Sequence, residues 1–127
     1  MGTRSLTFVY DGAKPIINMY RQFDGYPKGH GSELSEFLMS GEIVNGFFSN
    51  DNAKQFNGMG CLAAQMIAYF KKSVGGFYIY PVDTNDYSQD YEYHVYEDKV
   101  VIQNPGEIIF SGTWNEFRDF CCSTVTE

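Results

Sequence analysis

Five side chains that could bind or activate a ligand are crowded into residues 19–32 of this 127-residue sequence. Three glycines separate them, and a helix is expected to begin directly after the segment. Glycines let main-chain N–H groups approach a ligand closely, and the start of a helix adds positive potential. The pattern therefore predicts a binding site for a small anion, such as a phosphate or a carboxylate. Its residues are Arg21, Asp24, Tyr26, Lys28 and His30.

The same segment also has a structural interpretation. It lacks the Lys-Ser or Lys-Thr ending of a phosphate-binding P-loop, and it does not match the G-x-G-x-x-G pattern of a dinucleotide site. A tight turn that needs glycine for backbone reasons explains the segment better than a specific phosphate site does. If the cations serve binding rather than folding, replacing Lys28 and His30 together by Ala should change the free energy of unfolding by no more than about 0.5 kcal/mol per site.

The remaining histidine and the cysteines suggest few other sites. His94 lies between Glu92 and Tyr96 on one face of an expected strand, and we interpret this row as ordinary solvent-facing strand residues. No element has the ligand spacing of a metal site, so neither a metal nor a cofactor is predicted. The three cysteines lack the spacing of a disulfide framework and are predicted to be free thiols.

The beginning of the chain predicts a β-hairpin. Residues 4–10 alternate between two faces in the manner of a strand, and residues 11–12 are an Asp-Gly pair that suits a tight turn. Residues 16–23 are rich in strand-forming types and should pair back antiparallel to the first strand. This arrangement places Arg21 near the open end of the hairpin.

Two helices are predicted in the middle of the chain. Residues 24–31 contain too many glycines for a helix or a strand, so the first helix should cover 33–40 with Ser32 as its N-cap. A stripe of apolar residues at helical spacing predicts the main core helix over 58–72. Between the helices, three phenylalanines should enter the core from a loop, namely Phe47, Phe48 and Phe56.

The last third of the chain predicts an antiparallel meander and a final helix. The strands should cover 77–82, 91–97, 99–103 and 108–110. Residues 113–116 match a capping box, so a third helix should begin there. We therefore predict one α+β domain over residues 1–127, in which an antiparallel sheet of four to six strands packs against a central core helix and two shorter helices. The expected core contains Phe8, Leu62, Met66, Phe70 and Trp114.

Composition limits the classes of function. The net charge of −7 and the sequence pI of about 4.7 disfavour general binding to nucleic-acid phosphates. The sequence contains neither a run of 18 apolar residues nor a signal-peptide pattern, so we expect a soluble cytoplasmic protein that does not interact with a membrane. Aromatic residues make up 17% of the chain, and tyrosine in particular suits half-buried contact surfaces.

Several sequence motifs resemble those of a family of small uncharacterised proteins from bacteriophage, bacterial and marine environmental sequences. The motifs are MGTRSLT at residues 1–7, MYRQFDGYP at 19–27, GHG at 29–31, FNGMGCLAAQ at 56–65 and GFYIYP at 76–81. The resemblance implies a phage or bacterial cytosolic setting, in which small acidic proteins often bind a host component. It implies no reaction, cofactor or catalytic residue.

Three functions are compatible with these observations. The first is a non-enzymatic binding module that recognises a small anionic ligand or a host protein through residues 21–30 and neighbouring aromatic side chains. The second is a small enzyme acting on a phosphate-containing or nucleotide substrate, with His30 as acid/base and Arg21 and Lys28 stabilising charge. The third is a structural protein that forms homo-oligomers through exposed strand edges and tyrosines. The lack of a recognisable catalytic set favours the first.

Overall fold

The computed structural model of the chain describes residues 2–44, 46, 55–84 and 88–122. Within these residues a main sheet contains the strands β1 Ser5–Asp11, β2 Lys14–Arg21, β5 Phe77–Tyr80, β6 Tyr91–Val95, β7 Val100–Asn104 and β8 Glu107–Gly112. Their order across the sheet is β5-β2-β1-β6-β7-β8. Two short strands, β3 Glu42–Val44 and β4 Gln55–Asn57, form a separate parallel pair.

The helices pack against one face of the main sheet, called the inner face below. They are α1 Ser32–Met39, α2 Gly58–Phe70 and α3 Trp114–Cys121, and a five-residue π-helical turn, Pro27–Gly31, runs directly into α1. The apolar stripe of α2 is buried as its spacing predicts, because this stripe faces the strands. The inner-face core also contains Phe37 of α1, Phe117 of α3 and Tyr93 of β6.

The opposite face of the sheet, called the outer face, has a smaller apolar cluster of Leu6, Phe8 and Tyr20. The chain between β5 and β6 contacts this face, since the Asn18 side chain on β2 donates hydrogen bonds to the carbonyls of Pro81 and Thr84, each at 3.1 Å. Residues 81–84, which follow β5, therefore lie against the outer face.

The predicted α+β class, with a sheet of four to six strands and three helices, is confirmed. Thr113 caps α3 in the predicted capping box, because its hydroxyl accepts from Glu116 N at 3.1 Å while the Glu116 side chain accepts from Thr113 N at 2.9 Å. Arg21 lies at the open end of the hairpin, opposite Ser5. Phe56 is buried as expected, whereas Phe47 and Phe48 lie outside the described residues.

The sheet differs from an antiparallel meander in one pairing. β6 pairs with β1 in parallel, while the other four pairings of the sheet are antiparallel. The cause is the crossover after β5, which takes the chain past β2 and β1 before it turns into the sheet again. β5 consequently occupies one edge instead of lying beside β6.

Three local predictions also need correction. Residues 27–31 form a π-helical turn although they contain two glycines. The turn continues directly into α1, since the N–H of Ser32, the first residue of α1, bonds to carbonyls of the turn. Ser32 has helical dihedral angles and its side chain does not cap α1, since the helix is already under way. Phe8 is buried, but on the outer face, and Trp114 is half-buried at the margin of the core.

No helix among the described residues is long and apolar enough to span a bilayer.

Replacing Met66 by Ala should lower the free energy of unfolding by about 2–5 kcal/mol, because this side chain is fully buried in the inner-face core. Met39→Ala, near the end of α1, removes the same atoms from an exposed side chain, so we expect a loss below about 1 kcal/mol. Urea denaturation followed by Trp114 fluorescence measures both values. Equal losses for the two variants would contradict this assignment of the core.

Candidate functional site

The structure divides the five predicted site residues into two groups. Arg21 and His30 are buried, with exposed fractions of 9% and 0%. Asp24, Tyr26 and Lys28 lie at the surface. The two buried side chains therefore contact the core, while the other three face solvent.

His30 lies in the inner-face core with both ring nitrogens bonded. Its Nε2 is 2.7 Å from the hydroxyl of Thr7 on β1, and its Nδ1 is 3.2 Å from Nη1 of Arg21. Because a guanidinium can only donate, Nδ1 is the acceptor, and Nε2 carries the proton that is donated to Thr7. The rings of Phe70 and Tyr93 pack against the imidazole at centroid distances of 5.0 and 4.9 Å.

This environment keeps His30 neutral. Burial, and to a lesser extent the Arg21 guanidinium, lowers the pKa of His30 from 6.5 to about 3, because a second positive group would have to form next to the first without water. A general acid or base works best with a pKa near the operating pH. The geometry therefore does not support the enzyme hypothesis in which His30 transfers protons.

Arg21 ends β2 and connects the surrounding elements. Its Nη1 donates to the Glu33 carboxylate on α1 at 2.7 Å, and its Nε donates to the Phe23 carbonyl at 2.6 Å. The guanidinium carbon lies 5.0 Å from the ring centroid of Phe77 on β5 and 6.0 Å from that of Phe70 on α2. Arg21 thus holds the start of β5 and the end of α2 against the glycine-rich segment.

Main-chain N–H groups of the glycine-rich segment are used within the protein. The donors Gly25, Gly29 and His30 bond at 2.8–2.9 Å to the carbonyls of Thr3, Tyr26 and Asp24, respectively. An anion bound here would have to break these hydrogen bonds, so the donors that the sequence suggests for a ligand already have partners.

Close packing explains all three glycines, since a Cβ atom on Gly29 would lie 2.6 Å from the Asp24 carbonyl oxygen. A Cβ atom on Gly31 would lie 2.6 Å from the sulfur of Cys121, and one on Gly25 would lie 2.9 Å from the Thr3 carbonyl oxygen. The Tyr93 hydroxyl also donates a hydrogen bond to the Gly25 carbonyl at 2.6 Å. These contacts support the interpretation of the segment as a structural turn in which glycine is needed for packing.

The strand that contacts Arg21 forms one edge of the sheet. Beyond the opposed pair Arg21 and Phe77, Gln22 N donates to the Gly76 carbonyl at 2.9 Å. Bonded and non-bonded pairs alternate along an antiparallel ladder, so the main-chain N–H and C=O groups of Phe77 and Ile79 point away from β2, towards the side of β5 that pairs with none of the described strands.

A small apolar cavity lies between this edge and α2. Its volume is about 180 Å³, and it is lined by Met19, Ile67, Lys71, Phe77, Tyr78 and Ile79. Sites for small molecules usually measure about 300–1,000 Å³, so this cavity suits a single side chain. We call the edge of β5 and this cavity together the β5 groove.

Lys71 lies at one end of the β5 groove, just after α2. Its Nζ donates to the carbonyls of Gly75 at 3.0 Å and Phe77 at 2.8 Å. The contact with Phe77 agrees with the outward direction of that carbonyl. The ammonium group also lies 5.4 Å from the ring centroid of Tyr78, so it is held at the beginning of β5.

His94 is not solvent-facing, contrary to the sequence interpretation. It is packed because its Nδ1 lies 2.7 Å from the Tyr10 hydroxyl and its ring stacks on Phe8 at a centroid distance of 5.1 Å. Its Nε2 lies 3.2 Å from the Glu92 carboxylate and 3.0 Å from the Gln103 amide oxygen. The bond to His94 is the main cause that lowers the pKa of Glu92. These residues form a packed polar network on the outer face.

Metal and thiol chemistry gain no support from the described residues. Among them, no group of three or more His, Cys, Asp or Glu side chains is placed to hold a metal ion. Cys61, Cys121 and Cys122 are free thiols. Burial raises the pKa of Cys121 to about 12, so this thiol is protonated and unreactive at neutral pH.

Three partners of the predicted site residues were not predicted from the sequence: Thr7, Glu33 and Phe77. The alternation of β1 places Thr7 on the inner face, and Glu33 follows Ser32 at the expected helix start, so both had a signal. No sequence pattern indicated the contact of Phe77 with Arg21 or the β5 groove. The Lys71-Lys72 pair beside the groove is equally typical of a helix end.

No protein-family model matches this chain, and neither a curated protein nor a solved structure matches it. The motif resemblance to phage and bacterial proteins stays a prediction.

Replacing His30 by Ala should lower the free energy of unfolding by about 2–4 kcal/mol, because the change leaves a cavity and removes the partners of Thr7 and Arg21. Lys28→Ala should change it by less than about 0.5 kcal/mol, since this side chain is exposed. The expectation that both could be replaced at little cost does not hold for His30, whose burial the sequence does not show. Urea denaturation at pH 7 tests this, and an unchanged His30→Ala variant would refute the core role.

Acid should destabilise the protein through His30. Its folded pKa is lowered, so its contribution to stability is fully present above about pH 6.5 and is lost as the pH falls towards 3, because only the unfolded chain takes up the proton. In His30→Gln this contribution is missing, so the stability gap between wild type and variant should narrow between pH 7 and pH 4.5. Lys28→Ala should follow the wild type. A gap of constant size would show that His30 titrates normally in the folded protein.

Proposed function

We propose that this protein is a non-enzymatic binding module that captures an extended segment of a protein partner as an additional strand on β5. The observation that carries the proposal is the β5 groove, in which outward-pointing main-chain groups of Phe77 and Ile79 lie beside an apolar cavity. The Phe77 carbonyl accepts from Lys71 Nζ at 2.8 Å, so an added strand would bond to the Phe77 N–H and to the N–H and C=O of Ile79. Strand addition uses such outward-pointing main-chain groups for affinity and a neighbouring pocket for specificity.

Exposed apolar residues around the groove support an interface there. Tyr78 and Ile79 on β5 are about half exposed, and Val74 and Val82 on either side of the strand are also exposed. Proteins usually protect an edge strand with charges, proline or a covering element. An edge that carries tyrosine and isoleucine beside a cavity is typical of a surface that a partner covers.

Rigid support favours the same location. Arg21 stacks against Phe77 and is bonded to Glu33 and to the Phe23 carbonyl, so a partly buried network holds the edge strand in place. A preformed groove costs little ordering on binding, since only the incoming segment loses conformational freedom. In this view Arg21 and His30 position the binding surface and do not contact the ligand.

The alternatives have weaker support in this geometry. For the small anionic ligand, Lys28 is exposed, but the neighbouring main-chain donors have internal partners. A homo-oligomer would use the same edge, with β5 of a second copy in place of a partner strand. In the phage or bacterial setting that the motif resemblance implies, the partner would be a host protein.

Ile79→Lys should weaken binding to β5 by at least about tenfold, because it places a charge at the cavity and at the edge. Ile108→Lys is the matched control, since Ile108 is an exposed isoleucine on β8 at the opposite edge of the sheet. Peptides selected from a displayed random decapeptide library on the immobilised protein provide the ligands, and calorimetry gives their Kd for each variant. Selection of no peptide, or equal losses for both variants, would refute strand capture at β5.

A scan of the selected peptide with single N-methyl groups tests the binding mode. A strand added to β5 bonds to it through every second residue, so methylation should abolish binding at alternate positions only. A helical or side-chain-only ligand would show no such alternation.

A further inference from the structure

The two ends of the β5 groove differ in charge. At the Phe77 end the groove meets Lys71, whose ammonium group is held at 2.8 Å from the Phe77 carbonyl. Towards Ile79 the lining is apolar. In a chain with a net charge of −7, a lysine fixed at the end of an apolar groove is a local attraction for an anion.

We propose that the β5 groove binds the C-terminal end of its partner, with the terminal carboxylate at Lys71 and the apolar side chain of a terminal residue in the cavity. This inference rests on the proposed strand addition and specifies which part of the partner is captured. Capture of chain termini by a strand edge is a known recognition mode.

The direction of an added strand supports a carboxylate, rather than an ammonium group, beside Lys71. A segment that pairs antiparallel to β5 runs from the Tyr80 end towards the Phe77 end, so its C-terminus arrives beside Lys71. A segment that pairs parallel to β5 would have its N-terminal end beside Lys71. Its ammonium group would then be repelled by the positive charges of Lys71 and Lys72, unless the segment continued past them. Antiparallel pairing is also the slightly more stable arrangement per residue.

Lys71 is ordered for this role before a ligand arrives. An ammonium group has three donors, and the carbonyls of Gly75 and Phe77 account for two of them among the contacts that the described residues make. A carboxylate can accept the third, and the cation is already positioned by the two carbonyls and the Tyr78 ring. Lys72 provides a contrast, since its Nζ turns back to the Ala68 carbonyl at 3.3 Å.

The cavity sets the chemistry of the terminal side chain. Met19, Ile67, Phe77 and Ile79 surround it with hydrocarbon, and its volume of about 180 Å³ fits an aliphatic or aromatic residue. A polar side chain would lose its hydrogen bonds to water on entering. The expected ligand is therefore a free C-terminus that ends in an apolar residue.

The test selects ligands for the 127-residue protein from a library of displayed heptapeptides that have free C-termini. The best peptide is then synthesised as a free acid and as a C-terminal amide. With wild-type protein the acid should bind about tenfold or more tightly than the amide, since hydrogen bonds between charged groups contribute strongly when partly desolvated. In Lys71→Met this ratio should fall to near one.

Two control variants separate charge from structure. Lys72→Met should keep the wild-type ratio between acid and amide, because it removes a neighbouring positive charge without touching the groove. Lys71→Arg should restore most of the preference. The ratio of the Kd values of amide and acid is taken within one variant. A general loss of affinity from a change in the loop around Gly75 therefore affects both peptides equally and cancels out of the ratio.

Each outcome distinguishes this inference from the proposed function. Equal binding of acid and amide, with Ile79→Lys still abolishing both, would refute carboxylate recognition and leave strand capture intact. A preference for internal acidic residues in amidated peptides would refute it in the same way. If no peptide binds and the protein instead forms dimers that Ile79→Lys dissociates, β5 pairs with a second copy and both proposals are wrong.

Discussion

A single buried guanidinium, that of Arg21, holds the inner face of this protein together. Moving a charge out of water is costly unless its hydrogen-bonding groups find partners. Here the partners are the Glu33 carboxylate, the Phe23 carbonyl and the lone pair of His30. Each belongs to a different part of the chain, so satisfying one side chain determines the relative positions of β2, the π-helical turn and α1.

The position of β5 follows from the same constraint. Phe77 pairs with Arg21 in the sheet and also packs against its guanidinium, so the start of the strand is specified twice. Residues 81–84, which follow β5, lie against the outer face, where the Asn18 side chain donates to the carbonyls of Pro81 and Thr84. The parallel pairing of β1 with β6 is the topological consequence, and it leaves β5 with one side unpaired among the described strands.

Local patterns predicted much of the fold because they depend on neighbouring residues. The hairpin, the apolar stripe of α2 and the capping box at Thr113 all arise from spacings of two to four residues. The strand order and the burial of His30 were not predictable in this way. Both depend on contacts between distant residues, such as the bond from Thr7 to His30, that no short pattern encodes.

The candidate site shows the same limit more sharply. Charged residues near glycines at the start of a helix are typical of an anion site, yet the same residue types also build a buried polar network. Composition cannot distinguish them, because the difference lies in whether the main-chain donors have partners. The β5 groove depends on the strand order and on the path of Lys71, and neither is visible before the chain is folded.

The chain of hydrogen bonds from Thr7 through His30 and Arg21 to Glu33 also has an evolutionary consequence. Successive members are hydrogen-bond partners, so a substitution at one position removes a partner from its neighbour in the chain of bonds. Drift at these four positions is therefore not independent. Among diverging descendants of this gene they should change as a set or not at all, and a lineage that lost the arginine would retain neither the histidine nor the threonine for long.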